Sequence, residues 1–202
     1  MDIGYAANEQ IRINHIVDDF EFGIDEEIKY VITLSSPGAG KFRIKQFAEW
    51  IDNLNEFPVY YCVIYDKVFH PMFLELCTLS YEVTKIENSK RKHLYSVVKA
   101  DNKEELCTIA ELIEVFSMSS NDLSILSTKI NPCRVGQVGD HGEFDIIILG
   151  DIQDASVFHI GHDGETIYLL SNNKKYSTLE EAMLKMPEAM LNKIEVVEYG
   201  GD

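Results

Sequence analysis

The chain has 202 residues, 46% hydrophobic and 26% charged, with 34 Asp and Glu against 18 Lys and Arg for a formal net charge of -16. That length and apolar content suffice for a buried core without metal or disulfide, and they exclude a disordered chain. The acidic excess excludes direct nucleic-acid binding, because holding phosphates needs clustered Lys and Arg.

Residues 11–34 read as two strands, with Ile11, Ile13 and His15 alternating in the first and Tyr30, Val31, Ile32 and Leu34 forming the second. Between them lies the densest acidic patch: Asp18, Asp19, Glu21, Asp25, Glu26 and Glu27. Six carboxylates in ten residues repel one another, so they stay in water, either as a solvated loop or as a clamp for a cationic surface.

SSPGAGK, Ser35 to Lys41, then lies between a strand and an amphipathic helix with Ile44, Phe47, Ala48, Ile51 and Leu54 on one face. A Walker loop needs Gly six residues before its Lys and Ser or Thr just after it; here those positions hold Ser35 and Phe42. What remains is a strand-to-helix turn, with Gly38, Gly40, Lys41 and Arg43 as a weak candidate for holding an anion. Val59 to Asp66 is apolar on both faces, as a central strand covered on two sides requires. Phe69, Met72, Phe73, Leu74 and Leu76 then cluster as core under a loop.

Thr78 to Glu87 alternates as a half-buried strand, and NSKRK turns it into His93 to Ala100. The basic island here, Lys85, Lys90, Arg91, Lys92, Lys99 and Lys103, is either a small anion patch or the charge that protects an edge strand. Asp101 and Glu104 form a capping box for a helix reaching about Phe116. A short strand, LSILSTK, follows, then Pro132-Cys133 and a glycine-spaced loop.

From Val138 to Leu170 the chain crowds Asp140, His141, Glu143, Asp145, Asp151, Asp154, His159, His162, Asp163 and Glu165 around three apolar strands. Ser156 to Ser171 reads as a hairpin turning at Asp163-Gly164. Ser177 and Glu180 cap a last helix, with Leu179, Ala182, Met183 and Met186 inward, before Pro187 and a closing strand, IEVVEY. Strand-helix-strand recurs three times, over 30–66, 93–129 and 166–199. The expected fold is therefore α+β: a mixed sheet with about three packed helices, built from strand-helix-strand units plus the added hairpin. The expected organisation is one globular domain, 1–202, with 130–140 as the one candidate sub-division.

Asp140-His141-Gly142 followed by Leu149-Gly150-Asp151 and Asp154 resembles the paired metal-binding signatures of metallophosphoesterases. The spacing differs, since that family parts the two motifs by a strand and a helix, and the later Asn-His motif is missing; the function is not carried over. His159-Ile160-Gly161-His162 is similar to the signature of class I aminoacyl-tRNA synthetases, but the Asp-Gly that follows predicts a turn rather than their helix. No nucleophile elbow or protease signature stands out. Cys62, Cys77, Cys107 and Cys133 form no CxxC pair and read as reduced, mostly buried thiols. With no leader and no apolar run of roughly 20 residues, the expected address is cytoplasmic, away from membranes.

No catalytic residue, metal ligand or cofactor is assigned. The expectation is a binding protein rather than an enzyme, one that neutralises a basic protein partner as immunity-type inhibitors of toxins or nucleases do, with Asp18, Asp19, Glu21, Asp25, Glu26 and Glu27 in contact. The rival expectation is a metal-dependent hydrolase using Asp140, His141, Asp151, Asp154, His159 and His162.

Overall fold

Runs of Val, Ile, Leu and Tyr whose side chains alternate between two covered faces make the central strands, and two apolar layers on opposite faces of one sheet hold them together. The computed structural model describes residues 2–11, 22–24, 28–35, 44–86, 92–117, 123–129, 133–138, 144–149, 154–160, 166–191 and 195–198. The strands are β1 (Asp2–Ile11), β2 (Phe22–Ile24), β3 (Ile28–Ser35), β4 (Val59–Asp66), β5 (Tyr81–Lys85), β6 (His93–Ala100), β7 (Leu123–Ser127), β8 (Cys133–Val138), β9 (Phe144–Leu149), β10 (Ser156–Ile160), β11 (Thr166–Ser171) and β12 (Glu195–Glu198). The helices are α1 (Ile44–Asn53), α2 (His70–Leu76), α3 (Lys103–Thr108), α4 (Ala110–Ser117), α5 (Leu179–Met183) and α6 (Glu188–Leu191).

Nine strands form one sheet in the order β12-β1-β3-β11-β10-β7-β4-β6-β5, and β2-β9-β8 form a second. In the large sheet only β12 and β1 pair in parallel. Each strand-helix-strand unit nevertheless joins strands that run the same way, because a helix returns the chain to the end it started from. The α1 crossover passes three strands between β3 and β4, the α3–α4 crossover passes β4 itself, and the α5–α6 crossover passes β3 and β1 between β11 and β12. Each gap is filled by strands from elsewhere in the chain, all paired antiparallel to their neighbours except β1 against β12. The α+β expectation therefore holds.

Alternation along the central strands feeds both layers. Tyr61, Val63, Tyr65, Val98, Leu126 and Phe158 face the helices, where Phe47, Trp50, Ile51, Leu106, Ile113 and Phe116 meet them. Cys62, Ile64, Val97, Ile125, Val157 and Leu170 face the other way, onto Ile147 of the small sheet. The doubly covered β4 read from its sequence is thus explained.

Several expectations shift. The helix expected to reach about Phe116 breaks at Ile109 (φ -104°, ψ 17°) into α3 and α4, and the last helix ends at Met183, ahead of the interruption expected at Pro187, with α6 following. The apolar cluster after Asp66 is neither loop nor mostly core: Met72, Phe73, Leu74 and Leu76 lie in α2, where only Phe73 is buried, Phe69 and Leu74 are exposed, and Pro71 sits in a first turn where its missing N–H is no loss. Thr78 to Glu87 is not half-buried: all five residues of β5 are exposed, because it is the outermost strand. The glycine-spaced loop after Cys133 is strand β8, and β1 starts nine residues before the strand expected at Ile11. His15 lies outside the described residues.

Candidate functional site

The six carboxylates expected to form a clamp, Asp18, Asp19, Glu21, Asp25, Glu26 and Glu27, lie outside the described residues. So do the candidate anion residues Gly38, Gly40, Lys41 and Arg43. Acidic charge is nonetheless concentrated among the described elements. The six helices carry ten carboxylates, Glu49, Asp52, Glu75, Glu104, Glu105, Glu111, Glu114, Glu180, Glu181 and Glu188, against two lysines, Lys45 and Lys103. All but the half-buried Glu105 and Glu114 are exposed. Amphipathic helices on one face of a sheet must turn their polar sides to water, so this acidic bias faces outward on a single layer.

Of the metal-centred set, Asp140, His141, Asp151 and His162 lie outside the described residues. The two described members do not converge. Asp154 is exposed and pairs with Lys129 at 3.9 Å. His159 lies five residues on, up to roughly 16 Å along extended chain, with its ring within 3.1 Å of the Ser124 carbonyl oxygen and stacked on Tyr168 at 5.9 Å. Burial holds its imidazole below the ordinary value, the carbonyl contact opposing this only in part. A neutral ring in that setting donates Nδ1–H to the carbonyl. Among the described residues no group of three or more His, Cys, Asp or Glu side chains is placed to hold a metal ion.

Asp145 does something the sequence did not suggest: its carboxylate accepts from His93 Nδ1 at 2.8 Å, both side chains being buried. The bond joins β6 of the large sheet to β9 of the small one. It fixes how the layers sit.

A second buried polar node escaped the sequence altogether. Helix α1 ends in a Schellman motif: Asn55 takes a left-handed φ of 54°, its N–H donates to Asp52 O at 2.9 Å, and Glu56 N–H donates to Ile51 O at 3.1 Å. That turn sends Glu56 inward, where a hydrophobic residue usually closes the motif. Glu56 Oε1 accepts from Ser156 Oγ at 2.8 Å and Tyr176 Oη at 2.8 Å, and pairs with the Lys175 ammonium. Lys175 also donates to Leu54 O at 3.3 Å. Burial first, and then the Glu56 charge, hold the Tyr176 phenol well above its ordinary range. Ser156 and Glu56 have the reach of a nucleophile and its base. Ser156, however, is fully buried, so no substrate meets it; the node clamps α1, β10, β11 and the 174–176 turn together.

Cys62 is buried and Cys77 and Cys107 are half-buried thiols. Burial pushes the Cys77 and Cys107 thiols up, which disfavours the thiolate a nucleophile needs. Among the described residues no helix is long and apolar enough to cross a membrane.

No protein-family model, curated protein or solved structure matches this chain. Its chemistry is read from its own residues alone.

Proposed function

We propose that this chain is an acidic, non-enzymatic binding protein of the cytoplasm that docks onto and neutralises a basic protein, as an immunity-type inhibitor neutralises a toxin or nuclease. Carboxylates stand where the partner's phosphate-bearing ligand would lie, and the negative field speeds encounter. The observation that carries the reading is the net charge of -16 together with its polarity: ten carboxylates against two lysines on the helices. Asp18, Asp19, Glu21, Asp25, Glu26 and Glu27 are the proposed contact set, and nucleic acid and membrane are not partners.

The test is capture of a basic protein from the native host, followed by titration of the purified pair. Replacing the six carboxylates by Asn and Gln should weaken binding at least tenfold while leaving the fold intact, since these side chains are proposed to serve the partner and not the core. Unchanged affinity would remove them from the interface. Metal analysis separates the rival: stoichiometric zinc, manganese or iron, lost when His141 or Asp151 becomes Ala, would replace this reading with the hydrolase.

A further inference from the structure

Strand β5 closes one end of the nine-stranded sheet, paired with β6 on one side and, among the described residues, with nothing on the other. All five of its residues are exposed. Tyr81, Val83 and Lys85 stand opposite Val98, Ser96 and Leu94, on the face that carries the helices. Tyr81 packs edge-on against Phe73 of α2 at 5.4 Å, so its apolar surface continues onto that helix, where Leu74 is 45% exposed. An open edge of this kind offers unpaired N–H and C=O groups to another strand.

We propose that β5 pairs with β5 of a second copy, antiparallel about a two-fold axis through Val83. A two-fold perpendicular to the sheet keeps every residue on its own face, so the register is self-complementary. Val83 meets the second copy's Val83, Tyr81 meets the second copy's Lys85, and Glu82 meets the second copy's Thr84. The Tyr81 and Lys85 contacts set an ammonium against an aromatic face at both ends of the ladder, and no like charges stand directly opposite.

The self-complementary register, with Tyr81 against Lys85 at both ends and Val83 against Val83 at the centre, favours a copy of this chain at this edge over an unrelated strand. Two molecules of net charge -16 repel over most of their surfaces. Among the described residues, exposed Lys67 and Lys92 adjoin each other near the Lys85 end of β5, which lowers the repulsion that a second acidic copy meets at that end. Of the basic island, only Lys85 lies within the strand, at its end; it does not block the axis. A five-residue edge is about 17 Å long, at the small end of specific interfaces, which makes the dimer concentration-dependent. Because the remaining long-range repulsion is screened by ions, added salt should strengthen this association. That is opposite to the behaviour of the proposed acidic-basic complex, so the two stand or fall separately.

Sedimentation velocity of the full chain, from low-micromolar to near-millimolar concentration, tests the pairing. The expected result is a shift from monomer to dimer that salt enhances. Val83→Lys and Val83→Glu each place two like charges face to face at the axis and should weaken dimerisation at least tenfold. An equimolar mixture of the two variants should associate again, since Lys then meets Glu. A wild-type chain monomeric throughout, variants that still dimerise, or a mixture that stays monomeric would each overturn the proposal. Both substitutions are on an exposed strand, and the emission of buried Trp50, the single tryptophan, verifies that each variant is folded.

Discussion

Glu56 is the one carboxylate that gathers Ser156, Tyr176 and Lys175 into a buried polar node. Glu56→Ala leaves the Ser156 and Tyr176 hydroxyls buried without their acceptor and should reduce stability by about 3 kcal/mol. Glu56→Gln keeps an acceptor oxygen and should lose less, about 1–2 kcal/mol, because the partly exposed Lys175 can turn to water. Urea denaturation followed by Trp50 fluorescence measures both; equal losses would mean that the charge, not the hydroxyl network, is what counts. His159 and Tyr176 set opposite pH limits. The His159 imidazole is held below 6.5, so its contribution is present above that value and is lost as pH falls below it. The Tyr176 phenol is raised above 10.0, so its contribution is present below that value and is lost as pH rises beyond it. His159→Gln should therefore flatten the decline of stability between about pH 7 and pH 5; an unchanged slope would show that other groups set the acid limit. None of this could be read from the chain. Glu56 lies 100 residues from Ser156 and 120 from Tyr176, and a carboxylate beside Phe57-Pro58 looks like any surface turn.

Elements were more legible, because periodicity and turn chemistry are local. The antiparallel pairing of β10 with β11, the α1 face and the doubly buried β4 all follow from residues close to one another in sequence, while the turn expected at Asp163-Gly164 lies outside the described residues. Both helix caps fall one residue later than expected, and the reason is instructive. Asp101-Asn102 precedes Glu104-Glu105, and Ser177-Thr178 precedes Glu180-Glu181, so each sequence offers two capping registers. The chain uses the second: Asn102 Oδ1 accepts Glu105 N–H at 2.9 Å, and Thr178 Oγ1 accepts Glu181 N–H at 3.2 Å. Asn102→Ala should accordingly destabilise by about 1 kcal/mol, and Asp101→Ala by much less, in thermal or urea unfolding. The reverse order would restore the first register. At the other end of α1, Asn55 holds a left-handed conformation that a β-branched residue resists. Asn55→Val should lose about 1–2 kcal/mol, whereas Asn55→Gly should be close to neutral.

At the scale of the molecule, sequence gave the class but not the strand order. Three strand-helix-strand units were visible, yet nothing in their residues says that each crossover passes over one to three other strands. Those gaps are filled by segments distant in sequence, such as β11 beside β3. The small sheet was equally hidden, since β2 is three residues long and reaches β9 across more than a hundred positions. Charge, by contrast, is a sum over the chain and needs no fold to be counted; the structure adds that among the described helices it gathers on one layer. Whether that layer and the carboxylates from Asp18 to Glu27 steer a cationic partner is decided most directly by the association rate of the captured pair as ionic strength is varied. Between about 0.01 M and 1 M salt the Debye length falls from about 30 Å to about 3 Å, and the rate should drop by tenfold or more. A rate constant indifferent to salt over that range would contradict electrostatic docking.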